Sequence, residues 1–155
     1  FALEQLAALV EEDTSVLEGV IGHLESKSAK TRETAVWAIS RIVVKGNTDA
    51  VSRILTRIEH TVPQVRLSAL AALSQVAHKG DRETVAAIVK RLSHADWQVR
   101  EVAADALAQI SGLGDGVAIE GLIGLMCDKD WRLRPVAIEA LETLVDRSVG
   151  ALVPL

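Results

Sequence analysis

Apolar residues fall in columns that repeat every 34 positions along the chain. One column reads Val36, Leu70, Ala104 and Ile138, a second Ile39, Leu73, Leu107 and Leu141, and a third Ile42, Val76, Ile110 and Leu144. Small residues stand beside them at Ala35, Ala69, Ala103 and Ala137, so the spacing i, i+1, i+3, i+4, i+7 draws one wide face of an α-helix. An arginine precedes each of these alanines by three positions, at Arg32, Arg66, Arg100 and Arg134, and marks the register. Start signals lie just upstream: Ser28, Asp96 and Asp130 occupy equivalent N-cap positions, and the remaining copy has Thr61 with Pro63 in its first turn. The pattern predicts one such first helix per period.

In three copies a glycine closes this helix, at Gly46, Gly80 and Gly114, and a polar cap follows at once as Asn47, Asp81 and Asp115. The second helix predicted after each cap carries four apolar columns: Val51, Val85, Ile119; Ile54, Ile88, Leu122; Leu55, Val89, Ile123; and Ile58, Leu92, Met126. Each period is thus expected to form a helical hairpin, and since no hairpin can bury both stripes alone, copies must stack into one core. The expected organisation is one array over residues 1–155, with a partial unit over 1–25, units over 26–59, 60–93 and 94–127, and a last unit over 128–155. The end of that last unit is expected to fray at Gly150 and Pro154. Neither terminus carries a polar capping repeat, which predicts that more array, or a partner in a multi-subunit complex, covers at least one end. The start on Phe1 in place of methionine points to a processed product or a piece of something longer.

Composition narrows the chemistry. Hydrophobic residues make up 49% of the 155 positions and aromatic ones 3%, with no tyrosine, so the core must be built from small and branched aliphatic side chains. A net charge of −4 argues against a dedicated nucleic-acid binder, which would carry a basic excess to release phosphate counterions. The single cysteine, Cys127, excludes an internal disulfide, and no ligand set for a metal or a cofactor accompanies it. No run of 18 apolar residues occurs, so no transmembrane segment is expected. The default expectation is an intracellular, cytoplasmic protein, with an organelle as the alternative because the initiating methionine is missing.

The stretch Asp96-Trp97-Gln98-Val99-Arg100-Glu101-Val102-Ala103-Ala104-Asp105-Ala106-Leu107-Ala108-Gln109-Ile110 resembles the first helix of a HEAT or HEAT-like repeat, and Asp130 to Leu144 matches it nearly as well. The tryptophan, Leu-Gly and tyrosine columns of tetratricopeptide repeats are missing. The resemblance covers essentially the whole chain and is closest to the compact subtype of the family. It implies an all-α fold, a right-handed α-solenoid of stacked antiparallel helix pairs, whose second helices line a concave face and whose activity is to hold another macromolecule. The implied function is a non-catalytic protein-interaction scaffold or a structural subunit of a larger assembly, with a protein as partner. The alternative from a different class is a subunit acting on light-harvesting proteins, because certain bilin-chromophore lyases are also built from HEAT-like repeats.

The arginine column reads as architecture. Asp96 with Arg100, and Asp130 with Arg134, stand at i, i+4, so each pair shares a helical face and can also bridge to the next repeat. Departures from the repeat are the better candidates for partner contact. In the two middle units Arg53 and Arg57, then Lys90 and Arg91, form a basic strip suited to an acidic partner segment, and that strip is also the only support for nucleic-acid binding. In the outer units Glu18, Gly19, Gly22 and His23, and three periods on Glu120, Gly121, Gly124 and Leu125, replace those charges. Glycine inside a helix costs about 1 kcal/mol against alanine, so a repeated Gly-x-x-Gly implies close approach of a neighbouring helix or a partner. Trp37 occupies a column otherwise filled by Ala71, Asp105 and Glu139 and should project outward, whereas Trp97 and Trp131 share a column that suggests stacking between adjacent units. His60 and His94 fall where polar capping residues belong, and no residue pattern supports catalysis.

Overall fold

The computed structural model describes residues 14–145 together with Ala2, Glu4, Gln5, Ala8 and Leu9. The expectations for residues 146–155, including the fraying at Gly150 and Pro154, lie outside the described residues. Over residues 14–145, eight α-helices form and no strand: α1 (Thr14–Gly22), α2 (Ala29–Ile42), α3 (Thr48–Arg57), α4 (Pro63–Val76), α5 (Arg82–Arg91), α6 (Trp97–Ile110), α7 (Gly116–Met126) and α8 (Leu133–Leu144); Ala2, Glu4, Gln5, Ala8 and Leu9 are helical as well. A short 3-10 turn, His23–Glu25, follows α1.

The chain divides into two compact units, residues 1–78 and 79–155. In the first, α1 packs on α2 and α3 on α4, while α1 meets α3 and α2 meets α4. In the second, α5 packs on α6 and α7 on α8, while α5 meets α7 and α6 meets α8. The tightly packed hairpins therefore join a second helix to the first helix that follows it, half a period out of phase with the hairpin expected from the sequence. The reason lies in the connections. Val43 and Ser111 leave their helices with extended backbone, so within each unit the glycine segment carries the chain away from the helix before it.

The glycines sit four residues beyond those helices, not at their ends. Gly46, Gly80 and Gly114 have φ of 85°, 77° and 73° and lie in the turn just before the next cap. Only glycine takes that conformation at little cost. Their amides donate to Val76 O at 2.7 Å, Ile110 O at 2.7 Å and Leu144 O at 2.8 Å, and so satisfy the last carbonyl of the first helix one repeat on. Asn47, Asp81 and Asp115 cap the second helices as expected, accepting from Ala50 N, Thr84 N and Ala118 N.

The other caps are less regular. Ser28 and Asp96 accept amides of their own first turns, but Val62 caps α4 with no side-chain bond and Pro63 takes the first helical position. Asp130 is not the cap of α8: that helix begins at Leu133, because Pro135 has no amide to bond back and regular pairing starts later. The core columns are buried at Ile39, Leu73 and Leu107 and at Ile54, Ile88 and Leu122. Two predicted core positions are exposed: Ile123 on α7 and Ile138 on α8, at 54% and 45%.

Candidate functional site

The arginine column turns inward. Arg32 Nη1 donates to Ser26 O at 2.8 Å and Lys27 O at 3.1 Å, Arg66 Nη1 to His60 O at 2.8 Å and Thr61 O at 3.2 Å, and Arg100 Nη1 to His94 O at 2.7 Å and Ala95 O at 3.1 Å. Each guanidinium thus satisfies carbonyls of the linker that follows the preceding helix. The expected pairing of Asp130 with Arg134 does not form. Arg100 pairs with Asp128 at 2.9 Å, and Asp130 pairs with Arg132 at 2.7 Å, while Arg134 is exposed. The Arg132 hydrogen bonds hold the Asp130 carboxyl down at about 2. Beside this ladder a second column works as a set of caps: Ser26 Oγ, His60 Nδ1, His94 Nδ1 and Asp128 Oδ1 each accept the amide two residues on.

Arg53 and Arg57 are not an open basic surface. Arg53 donates to Glu18 at 2.7 Å and to Asp49 at 2.9 Å, and Arg57 is held by Glu18 and by Glu25 at 2.9 Å. Hydrogen bonding to Arg53, with Arg57 adding to it, holds the Glu18 carboxyl below the ordinary glutamate range. The sequence reading missed Glu25 and Asp49 as counter-charges. Asp49 was visible as the i, i+4 partner of Arg53, whereas Glu18 and Glu25 reach across from the preceding repeat. In the second unit Arg91 Nη1 donates to Ala87 O at 2.7 Å, and Lys90 is exposed.

The glycine faces divide in two. A Cβ on Gly121 would stand 2.9 Å from Leu92 Cδ1 and 3.3 Å from Val89 Cγ1, so this glycine lets α7 approach α5 closely. At Gly19, Gly22 and Gly124 a Cβ would meet nothing within 4 Å. Leu125, expected on the partner face, is instead core at 3% exposure, because its side of α7 turns toward the α5 neighbour.

Trp37 projects from α2 as expected, 52% exposed, with Arg41 5.9 Å from its ring centroid. Trp97 meets the next repeat through Arg132. The Arg132 guanidinium lies 3.7 Å over the Trp97 ring, and Trp131 is 73% exposed. On the outer side of α6 and α8, partial burial raises the Asp105 carboxyl, with Glu101 and Glu139 adding to the shift. Among the described residues no group of three or more His, Cys, Asp or Glu could hold a metal ion, and no helix is long and apolar enough to cross a membrane.

Residues 55–142, more than half of the chain, match the family model for HEAT repeats. No curated protein matches the sequence. Similar solved structures include a designed armadillo repeat protein in complex with the peptide (KR)4, at 21% identity and a TM-score of 0.47 over 90% of this chain and 68% of that one. Another is an engineered protein at 24% identity and a TM-score of 0.44, over 90% of this chain and 65% of that one. With the 34-residue period, the stacked helices of each unit and the family match together, the chain belongs to the HEAT-repeat family and folds as an all-α solenoid of HEAT-like repeats.

Proposed function

We propose that the chain is a non-catalytic protein-interaction module, a scaffold or a structural subunit of a larger assembly, that binds a protein partner on the surface of its helices. The observation that carries this reading is the set of large apolar side chains left on the surface of an otherwise well-filled repeat, with Trp37 and Trp131 the largest. The unbroken register of the apolar columns across residue 78 supports reading the repeats as one array. Among the positions that break the repeat, Trp37, Lys90, Gly19, Gly22 and Gly124 remain the partner-facing candidates. Crosslinking followed by pull-down from the native source tests the reading. A partner is expected that the native chain captures and that Trp37→Ala or Trp131→Ala loses while the fold is kept. A chain that captures no protein, or that attaches an added bilin covalently to an acceptor, overturns it.

A further inference from the structure

Between α5 and α7, inside the second unit, runs a groove of about 550 Å³. Val89, Leu92 and Leu125 line it together with Gly121 and Gly124. Gly121 brings the helices together, and Gly124, with open space where a Cβ would be, leaves backbone bare on the groove surface. The equivalents of Gly124 one and two periods earlier are Lys90 and Thr56, and the bare position recurs three periods earlier at Gly22. Ile123 stands next to it, 54% exposed.

The accessible charge at one end of this groove has a single sign. Lys129 and Ser93, both exposed, line the end where α5 and α7 finish, and Lys90 is exposed on α5 one turn before Ser93. The acid at that end, Asp128, is spent: its side chain is 14% exposed and engaged by Arg100. The acid of α7 itself, Glu120, lies one turn before Gly124 and lines a different groove, with Arg82. Lys90 in the last turn of α5 and Lys129 beyond α7 offset the negative helix ends there. In the first unit Arg53 and Arg57 are neutralised by Glu18, Glu25 and Asp49.

We propose that this groove receives a short peptide segment of a partner protein in which a large apolar residue is flanked by Asp or Glu. The apolar side chain lies over Gly124 against Val89 and Leu125, and the acidic neighbour faces Lys129 and Lys90. The volume suits one such side chain with its flanking backbone, and charge complementarity sets the direction in which the segment lies. The inference rests on the interaction-module reading and names the chemistry of the partner.

Three fluorescein-labelled octapeptides test it by anisotropy on the purified chain: a central Leu-Leu pair flanked by Glu, the same pair flanked by Lys, and a Ser-Ser pair flanked by Glu. Only the first is expected to bind. Gly124→Leu fills the groove and is expected to weaken it by about tenfold or more, with an unchanged helical spectrum, since the new side chain meets no neighbour at its Cβ. Lys129→Glu is expected to weaken it severalfold and to admit the Lys-flanked peptide. Equal binding of the Lys-flanked peptide to the native chain, no binding of any peptide, or indifference to Gly124→Leu overturns the proposal. So does self-association of the chain that Gly124→Leu abolishes, because a second copy would then be the occupant. Pull-down separates the two readings: capture that survives Gly124→Leu sinks the groove alone, whereas no capture by the native chain sinks the interaction module.

Discussion

At the scale of single residues, one column of identical side chains does unequal work. Arg100 is 4% exposed, bonds two carbonyls and carries the Asp128 ion pair, whereas Arg134 is exposed. Removing one partner of a buried pair leaves the other without compensation, which costs far more than the pair contributes when intact. Arg100→Ala is therefore expected to destabilise by about 2–4 kcal/mol, lowering Tm by roughly 5–15 °C for a chain of this length. Arg134→Ala should stay within about 0.5 kcal/mol, as surface substitutions do. Circular-dichroism melts of the two variants decide the matter, and equal losses would show that the column acts uniformly. The position of each arginine was legible from the 34-residue spacing. Its partners were not, because the carbonyls it reaches and the Asp128 it pairs with are brought near by the fold and not by helical adjacency.

At the scale of elements, the glycines sort by what surrounds them. Gly121 and Gly124 lie one turn apart on α7 and carry the same sequence signal, yet only Gly121 is packed against Val89 and Leu92. Gly124→Ala is expected to gain about 0.5–1 kcal/mol from helix propensity alone. Gly121→Ala is expected to lose about 1–2 kcal/mol, since the added methyl overpacks the α5 contact. Urea titrations at constant m would measure both, and a gain at Gly121 would mean that the helices part easily. The turn glycines follow a similar logic. Gly80→Ala must hold a left-handed conformation, at a cost of about 1–2 kcal/mol, and Gly46→Ala should cost more because the His78 imidazole occupies the space its Cβ needs. Equal losses at the two sites would argue that His78 simply moves aside. Second-helix starts were read correctly because Asn47, Asp81 and Asp115 act within their own first turns. The start of α8 was missed because the amide lacking at Pro135 outweighs the capping capacity of Asp130.

At the scale of the whole molecule, acid should act through a few carboxylates. Glu18 titrates below its ordinary value of 4.5, so the stability it contributes is fully present above that pH and is lost as pH falls through its folded value. Asp130, down at about 2 from 3.8, acts in the same direction over a lower window. Asp105 works in the opposite sense: its raised value means that ionisation in the folded state is disfavoured, a penalty present at neutral pH and relieved as pH falls through the folded value. Glu18→Gln should therefore flatten the fall of Tm below pH 4.5. Asp105→Asn should raise Tm at pH 7 by about 1–2 °C and give no gain once Asp105 is protonated. Differential scanning calorimetry across pH 2 to 8 checks both, and a larger gain for Asp105→Asn in acid than at neutrality would reverse the sign of the argument. The sequence alone was enough to determine the repeat, its period, the helical class, the caps of the second helices and most of the core, because those follow from spacing within one helix and from translation by one period. Tertiary structure decided which helices pair, where Arg53 and Arg57 find their counter-charges, why Leu125 is core while Ile123 is not, and which glycines are packed and which are bare. Those outcomes depend on neighbours that the fold supplies from about a period away, and a side chain's own position in the repeat carries no record of them.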